Sequence, residues 1–351
     1  MGTKAFMKGN NVAAEAAIRA GCDAYFFYPL TPSSEVGEYM AKELDLRGGC
    51  FLQAESELSA ITMMLGGSCA GGRVMTATSG CGFSLMTEGL SFMAGMELPG
   101  VVVDVSRIGP ALGTLEPTQG DYFQLTRACG HGGHIVPVYA PSTVQEIADL
   151  TKKAFDVADA YRTPVIVSYD RSVGQMMESV EFSDDAPVKP EKEWSVGSTE
   201  PHEPKLLRSG YGFQGAGSPH WTEMFNKYDK IERELQEWEE FDLEDADLIL
   251  VAFGTVARAC KAAVRKARAE GIKVGLIRPI AICPFPRNAF DKYRGSDKKF
   301  LTIEMNRGQM FTDVKLALGS DEHTAFFRTP TGIMPKVGEI LEQIHKISGE
   351  G

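Results

Sequence analysis

The stretch Tyr28-Pro29-Leu30-Thr31-Pro32-Ser33-Ser34-Glu35 sets a polar, proline-stiffened turn directly after the apolar segment Ala24 to Tyr28. Pro29 and Pro32 fix two φ angles and remove two backbone donors, so the turn is rigid before any ligand arrives. Ser33 or Ser34 is placed to cap a following helix, whose first amides then face the same cleft. Thr31 becomes a fixed hydroxyl at the carboxyl end of a strand, where open α/β sheets bind ligands.

Outward from this turn, apolar strands alternate with helices. Ala13 to Ala20 reads as a helix closed by Gly21, and Glu57 to Ala70 as a buried helix. Val74 to Thr78 is a strand ending in Ser79-Gly80-Cys81-Gly82, with helical spacing resuming from Phe83 to Met96. Val101 to Val105 is apolar except for Asp104, which implies a sheet covered on both faces. Val144 to Ala160 is a helix and Pro164 to Tyr169 another strand. Such alternation predicts an α/β protein built from βαβ units around a mostly parallel sheet.

Asp, Glu, Lys, Pro and Gly accumulate after residue 182, and Gly210 to Pro219 repeats Gly. Trp221 to Phe241 then reads as a polar helix, either a solvated surface helix or an arm onto a partner. A second α/β block opens at Asp247, with strands Leu248 to Ala252, Lys273 to Ile277 and Phe300 to Glu304. Its helices are Val256 to Glu270 and Val337 to Ile347. The expected organisation is a first parallel-sheet domain over 1–181, a linker with an exposed helix over 182–245, and a second parallel-sheet domain over 246–351.

The length of 351 residues suits two domains, and 43% hydrophobic with 24% charged residues is ordinary for a globular chain. A net charge of -11 argues against nucleic acid or an anionic membrane as the main partner. No apolar run reaches bilayer-spanning length, and Met1 to Asn10 lacks the apolar core of a secretory signal. The cysteines at 22, 50, 69, 81, 129, 260 and 283 are scattered, with no C-x-x-C pair. That spacing supports no cysteine-held cluster or zinc site in this chain and fits reduced thiols in the cytoplasm.

Three polar groups stand where loops leave one edge of a parallel sheet: Thr31, Glu57 and Arg107. A hydroxyl, a buried carboxylate and a guanidinium suit a 2-oxo acid, with Arg pairing its carboxylate and Thr its carbonyl. Plainer roles exist for each: a turn threonine, a helix-cap carboxylate at Glu55 or Glu57, and a surface ion pair for Arg107. Gly80-Cys81-Gly82 lacks the third glycine of a dinucleotide loop. His131 and His134 lack a nearby third metal ligand and read as part of a glycine-rich loop.

The motifs in combination resemble the α subunit of 2-oxoacid:ferredoxin oxidoreductases. The resemblance rests on the 28–35 turn, Gln53-x-Glu55-x-Glu57, Thr76-Ala77-Thr78-Ser79-Gly80 and Asp104-Val105-Ser106-Arg107-x-Gly109-Pro110. It continues through Gln119-Gly120-Asp121-Tyr122-Phe123-Gln124, the segments at 141–146 and 160–165, and Glu304-x-Asn306-x-Gly308-Gln309. Cys81 stands where that family usually has Pro.

The resemblance implies a thiamine pyrimidine-binding domain followed by a transketolase-C-like domain. It also implies oxidative decarboxylation of a 2-oxo acid to acyl-CoA, carbon dioxide and two electrons for ferredoxin. A separate β subunit would hold the diphosphate, Mg2+ and a [4Fe–4S] cluster, and this chain indeed has no Gly-Asp-Gly with a downstream Asn-Asn. Small ferredoxin-like and γ subunits would complete the assembly, with this chain active only beside its partner. By resemblance, Glu57 hydrogen-bonds the aminopyrimidine ring nitrogen, its proton affinity raised in a dry interface. Thr31 and Arg107 line the substrate, Pro29 lies beside the ring, and the glycine loop at Gly80 and Gly82 lets the backbone approach the cofactor. The stretch Ala111 to Pro117 after Arg107 offers apolar groups and the negative charge of Glu116 but no cation for a second carboxylate, which points to a branched-chain acid such as 2-oxoisovalerate. The alternatives are 2-oxoglutarate as substrate, or a scaffold subunit that docks the catalytic partner.

Overall fold

Two large sheets and a two-stranded antiparallel ribbon of β1 and β8 carry the chain in a computed structural model describing residues 2–183, 185–197, 205–210, 219–330 and 332–349. The first half runs β1 (Thr3–Lys8), α1 (Gly9–Arg19), β2 (Ala24–Phe27), α2 (Ser34–Glu43), β3 (Cys50–Gln53), α3 (Glu57–Cys69) and β4 (Val74–Thr78). It continues through α4 (Gly80–Gly95), β5 (Gly100–Ser106), α5 (Tyr122–Arg127), β6 (Val138–Tyr139), α6 (Val144–Tyr161), β7 (Pro164–Asp170), α7 (Arg171–Gln175) and β8 (Met177–Phe182). Then follow α8 (Pro219–Glu234), β9 (Trp238–Phe241), β10 (Leu248–Val251), α9 (Gly254–Ala269), β11 (Val274–Pro279) and β12 (Ala281–Cys283). The chain ends with β13 (Lys299–Glu304), α10 (Gln309–Leu318), β14 (Thr324–Arg328) and α11 (Val337–Ser348).

The larger sheet has the order β12-β6-β7-β5-β4-β2-β3 and is parallel except at the β12–β6 edge. The smaller has the order β14-β13-β10-β11-β9, with β9 antiparallel. Every residue of β4, β5 and β7 is buried, as expected of a sheet with helices on both faces. Side chains of α1, α2 and α6, such as Val12, Met40 and Phe155, pack one face against Met75, Val101 and Val165. Ile61 and Met64 of α3 with Phe83 and Met86 of α4 cover the other, against Val74, Val102 and Ile166.

Two strands cross the expected domain limits. β9 lies before residue 246 yet edges the second sheet, and β12 lies after it yet closes the first. The helix expected over 221–241 therefore stops at Glu234, because Trp238 to Phe241 finds strand partners on β11. Nor is α8 wholly exposed: Met224, Tyr228 and Ile231 are buried beside Ile135 and Tyr161. The glycine repeat at 211–218 lies outside the described residues. Among the described residues no helix is long and apolar enough to cross a membrane.

Candidate active site

The chain leaves β2 through α2 on one face of the sheet and leaves β4 through α4 on the other. The carboxyl ends of these neighbouring strands thus border a gap, the switch point at which doubly wound sheets bind ligands. The 28–35 turn forms one wall. Asn10 pins it by donating to the Pro32 carbonyl at 2.8 Å and to Glu35 at 3.0 Å. Ser33 caps no amide; its hydroxyl turns back to the Leu30 carbonyl at 2.6 Å, correcting the capping role expected of it. Pro29 and Thr31 are exposed at the mouth.

Opposite stands the start of α3. Ser56, in extended conformation, caps the helix by accepting the Ser59 amide at 3.2 Å, so neither nearby glutamate is needed as a cap. Glu55 is exposed and takes the Ser59 hydroxyl. Glu57 is only 5% exposed, and among the described residues its carboxylate accepts no hydrogen bond.

The floor is the first turn of α4. The sequence reading put Gly80 and Gly82 in a loop and began the helix at Phe83; instead the helix begins at Gly80. These glycines serve contact rather than a bend. A Cβ on Gly82 would collide with Thr78 Oγ1 and Glu57 Oε1, and would lie 2.8 Å from Leu30 Cδ2. A Cβ on Gly80 would lie 2.9 Å from both carboxylate oxygens of Asp121. Hydrogen in place of a side chain lets α4 close on Glu57 and Asp121.

Arg107, 5% exposed at the end of β5, joins the first wall to the floor. Its Nη1 donates to the Thr31 carbonyl at 2.7 Å and its Nη2 to Cys81 Sγ at 2.9 Å, while Nε has no partner. Thr31, Glu57 and Arg107 thus all border the start of α4, although Arg107 bonds the Thr31 carbonyl and not its hydroxyl.

Sequence reading missed a polar band behind these groups. On one face of β4, β5 and β7 the inward residues turn polar toward the carboxyl ends: Thr76 and Thr78, Asp104 and Ser106, Ser168 and Asp170. Their period-2 spacing was the available signal. Asp104 Oδ2 accepts the Ser106 hydroxyl at 2.6 Å and the Ser168 hydroxyl at 3.0 Å. Buried without partners remain Thr76 Oγ1, Thr78 Oγ1, Ser79 Oγ, Asp104 Oδ1 and Asp121 Oδ2. Burial, then the nearby Asp121, holds the Asp104 carboxyl well above its ordinary range. Burial also pushes Asp121 up to about 6, against the pull of the Ser106 hydroxyl and Arg107.

The Gln119 and Glu304 motifs meet elsewhere, at the junction of the two sheets. Gln119 donates to the Phe253 carbonyl at 3.0 Å and accepts the Met305 amide at 3.0 Å. Asn306 Nδ2 reaches the Gln119 carbonyl and Glu304, both at 2.8 Å. Glu304 also accepts the Met310 and Phe311 amides at the start of α10; burial pushes its carboxyl up to about 7. His134 instead bonds the Cys129 carbonyl at 3.0 Å. Among the described residues no cluster of three His, Cys, Asp or Glu is arranged to hold a metal.

The comparisons with known proteins fit this architecture. Residues 15–240 match the thiamine diphosphate-binding domain of pyruvate flavodoxin/ferredoxin oxidoreductases, and 246–340 their core domain II. The fold and site therefore define a thiamine diphosphate-binding α/β protein. The chain is 41% identical over 345 residues to ketoisovalerate oxidoreductase subunit VorB of Methanothermobacter thermautotrophicus, covering 98% of each. It is 39% identical to 2-oxoglutarate synthase subunit KorA of Methanocaldococcus jannaschii, covering 88% of this chain and 90% of that one. Among solved structures, 2-oxoglutarate:ferredoxin oxidoreductase from Magnetococcus marinus, with 2-oxoglutarate, coenzyme A and succinyl-CoA bound, superposes with a TM-score of 0.85 at 27% identity. That match covers 98% of this chain and 65% of the longer one. The chain belongs to the 2-oxoacid:ferredoxin oxidoreductase family, as an α-type subunit.

Proposed function

We propose that this chain is the α subunit of an enzyme that decarboxylates a branched-chain 2-oxo acid, 2-oxoisovalerate, to acyl-CoA, carbon dioxide and reduced ferredoxin. The observation that carries this reading is Glu57, a buried carboxylate with no hydrogen-bond partner facing the glycine-lined start of α4. The Glu57 oxygens are not among the fully enclosed unpartnered atoms, so they open onto the cleft and can meet a partner from outside the chain. The aminopyrimidine edge of thiamine offers a ring nitrogen able to share a proton with Glu57, and Gly82 keeps the approach open. Pro29 at the mouth of the cleft supports a place beside the ring.

When bound, thiamine diphosphate supplies the nucleophilic carbon and the electron sink for decarboxylation. Glu57 holds the proton shared with the ring nitrogen and so drives activation. Arg107, with Nε unpaired, pairs the substrate carboxylate, and the exposed Thr31 hydroxyl meets its carbonyl. The diphosphate, Mg2+ and a [4Fe–4S] cluster belong to a β subunit closing the cleft, with small ferredoxin-like and γ subunits, ferredoxin and coenzyme A completing the electron and acyl path.

Leu112 and Leu115 are exposed on the loop after Arg107 and suit a branched alkyl group. A second reading, 2-oxoglutarate, is favoured by Arg171, which reaches the same loop, although it donates to the Leu115 carbonyl at 3.2 Å. The complex purified with its partner subunits should form acyl-CoA fastest from 2-oxoisovalerate among that acid, pyruvate and 2-oxoglutarate. A preference for 2-oxoglutarate would transfer the assignment to the second reading. Glu57→Ala should slow C2 proton exchange of bound thiamine at least ~100-fold, the usual size of a lost acid–base group. Unchanged exchange would remove Glu57 from the mechanism and favour a scaffold role.

A further inference from the structure

Cys81 is the second residue of α4, half-buried, with its sulfur 2.9 Å from Arg107 Nη2. A guanidinium nitrogen only donates, so the sulfur is the acceptor in this contact. Arg107 is thereby held at two corners: the Thr31 carbonyl at Nη1 and Cys81 at Nη2. The first acceptor rides on the rigid turn after β2, one wall of the cleft, and the second on the helix after β4, its floor. Nε, buried and without a partner, is the part of the fork left for a ligand. Planar pairing of a carboxylate depends on the orientation of this fork, and rotating it by even a modest angle would break the second hydrogen bond.

We propose that Cys81 is a positioning residue: its sulfur sets the plane of the Arg107 guanidinium so that the remaining N–H groups meet the carboxylate of the 2-oxo acid. The inference rests on the reading of Arg107 as the group that binds the substrate carboxylate. It assigns Cys81 no chemical step, and the sulfur forms no bond with substrate or cofactor. The role differs from packing, because a serine hydroxyl, smaller but also an acceptor, can replace it, whereas a methyl group cannot.

The test uses the α subunit in complex with its partners and four variants: Cys81→Ala, Cys81→Ser, Arg107→Ala and the Cys81→Ala/Arg107→Ala pair. Cys81→Ala should raise KM for the 2-oxo acid about fivefold to tenfold, as expected when one hydrogen bond of ordinary strength is lost, sulfur being a weak acceptor, with kcat changed less than twofold. Cys81→Ser should recover most of that loss. On the Arg107→Ala background, Cys81→Ala should add nothing, the signature of two residues acting as a unit. A second readout is independent of turnover. Isovalerate, a carboxylate without the reactive carbonyl, should slow alkylation of Cys81 by iodoacetamide in the parent complex and not in Arg107→Ala. If Arg107→Ala raises KM while Cys81→Ala leaves it unchanged, the positioning role is wrong and the reading of Arg107 stands. A rise that serine fails to rescue, or that adds fully to Arg107→Ala, reduces Cys81 to packing and overturns the proposal. If Arg107→Ala itself leaves KM unchanged, the reading of Arg107 falls and takes this inference with it.

Discussion

At the junction between the sheets buried polar atoms find partners within the chain, whereas beside the first turn of α4 they do not. Arg278 of β11, 3% exposed in its side chain, reaches Glu146 of α6 at 2.7 Å, Ser142 at 2.9 Å and Glu239 of β9 at 2.7 Å. Gln119, Glu304 and Asn306 are satisfied in the same way. In the cleft, Thr78, Ser79, one oxygen each of Asp104 and Asp121, and Arg107 Nε are buried and left over, and beside them Glu57 opens onto the cleft. Both places are buried and polar, so burial and charge alone do not tell a structural network from a binding site. The difference lies in surplus hydrogen-bonding capacity, which a junction spends internally and a site reserves for its ligand.

Three measurements test that contrast. The largest effect belongs to the junction. Arg278→Ala removes the cation shared by Glu146 and Glu239 and should destabilise the chain by about 3 kcal/mol, the low end for a broken buried pair because both glutamates keep some solvent contact and Glu239 keeps Lys261 at 2.6 Å. Urea unfolding measures it; a loss under about 1 kcal/mol would mean the network is ornamental.

Next comes Gly82→Ala, which fills the space beside Glu57. Overpacking of this kind costs about 1–3 kcal/mol and here should appear as at least ~10-fold weaker thiamine diphosphate binding by the complex. Gly66→Ala, in α3 with nothing within 4 Å of its added methyl, is the control and should stabilise slightly. Equal effects of the two would deny the cleft its special status.

The smallest effect concerns pH. Asp121 holds its proton more tightly folded than unfolded, so the native state binds more protons between the ordinary value near 3.8 and about 6. Stability from this group therefore falls as pH rises through that window and levels off above it. Asp121→Asn should flatten the fall in thermal unfolding profiles. A profile identical to the parent's would show that the Asp121 surroundings are more polar than its bare Oδ2 suggests.

The sequence carried the central elements well, because Val74–Thr78 and Pro164 to Tyr169 are apolar enough to admit only buried strands. The edges were not legible. β1, β6, β12 and β14 are short or half-exposed and show little alternation to read. Trp238-Glu239-Glu240-Phe241 carries a helix-like charge pattern and becomes a strand only through pairing with β11. In the site, Glu57 and Arg107 could be named because each is a charge at the border of an apolar element. The contacts of Gly82 with Glu57 and of Cys81 with Arg107 join residues far apart in sequence, and no local spacing announces them.

The two edge strands that trade places limit how this protein can be dissected. A fragment ending at residue 245 would keep β9 with no sheet to receive it and would bare the outer rim of β6. The complementary piece would leave the outer edge of β11 uncovered and carry β12 as an internal segment with no strand to pair. Each would display a raw ladder of amides and carbonyls, the template on which polypeptides aggregate. Expression of either half alone should yield inclusion bodies, whereas co-expression of both should let each return the other's missing strand.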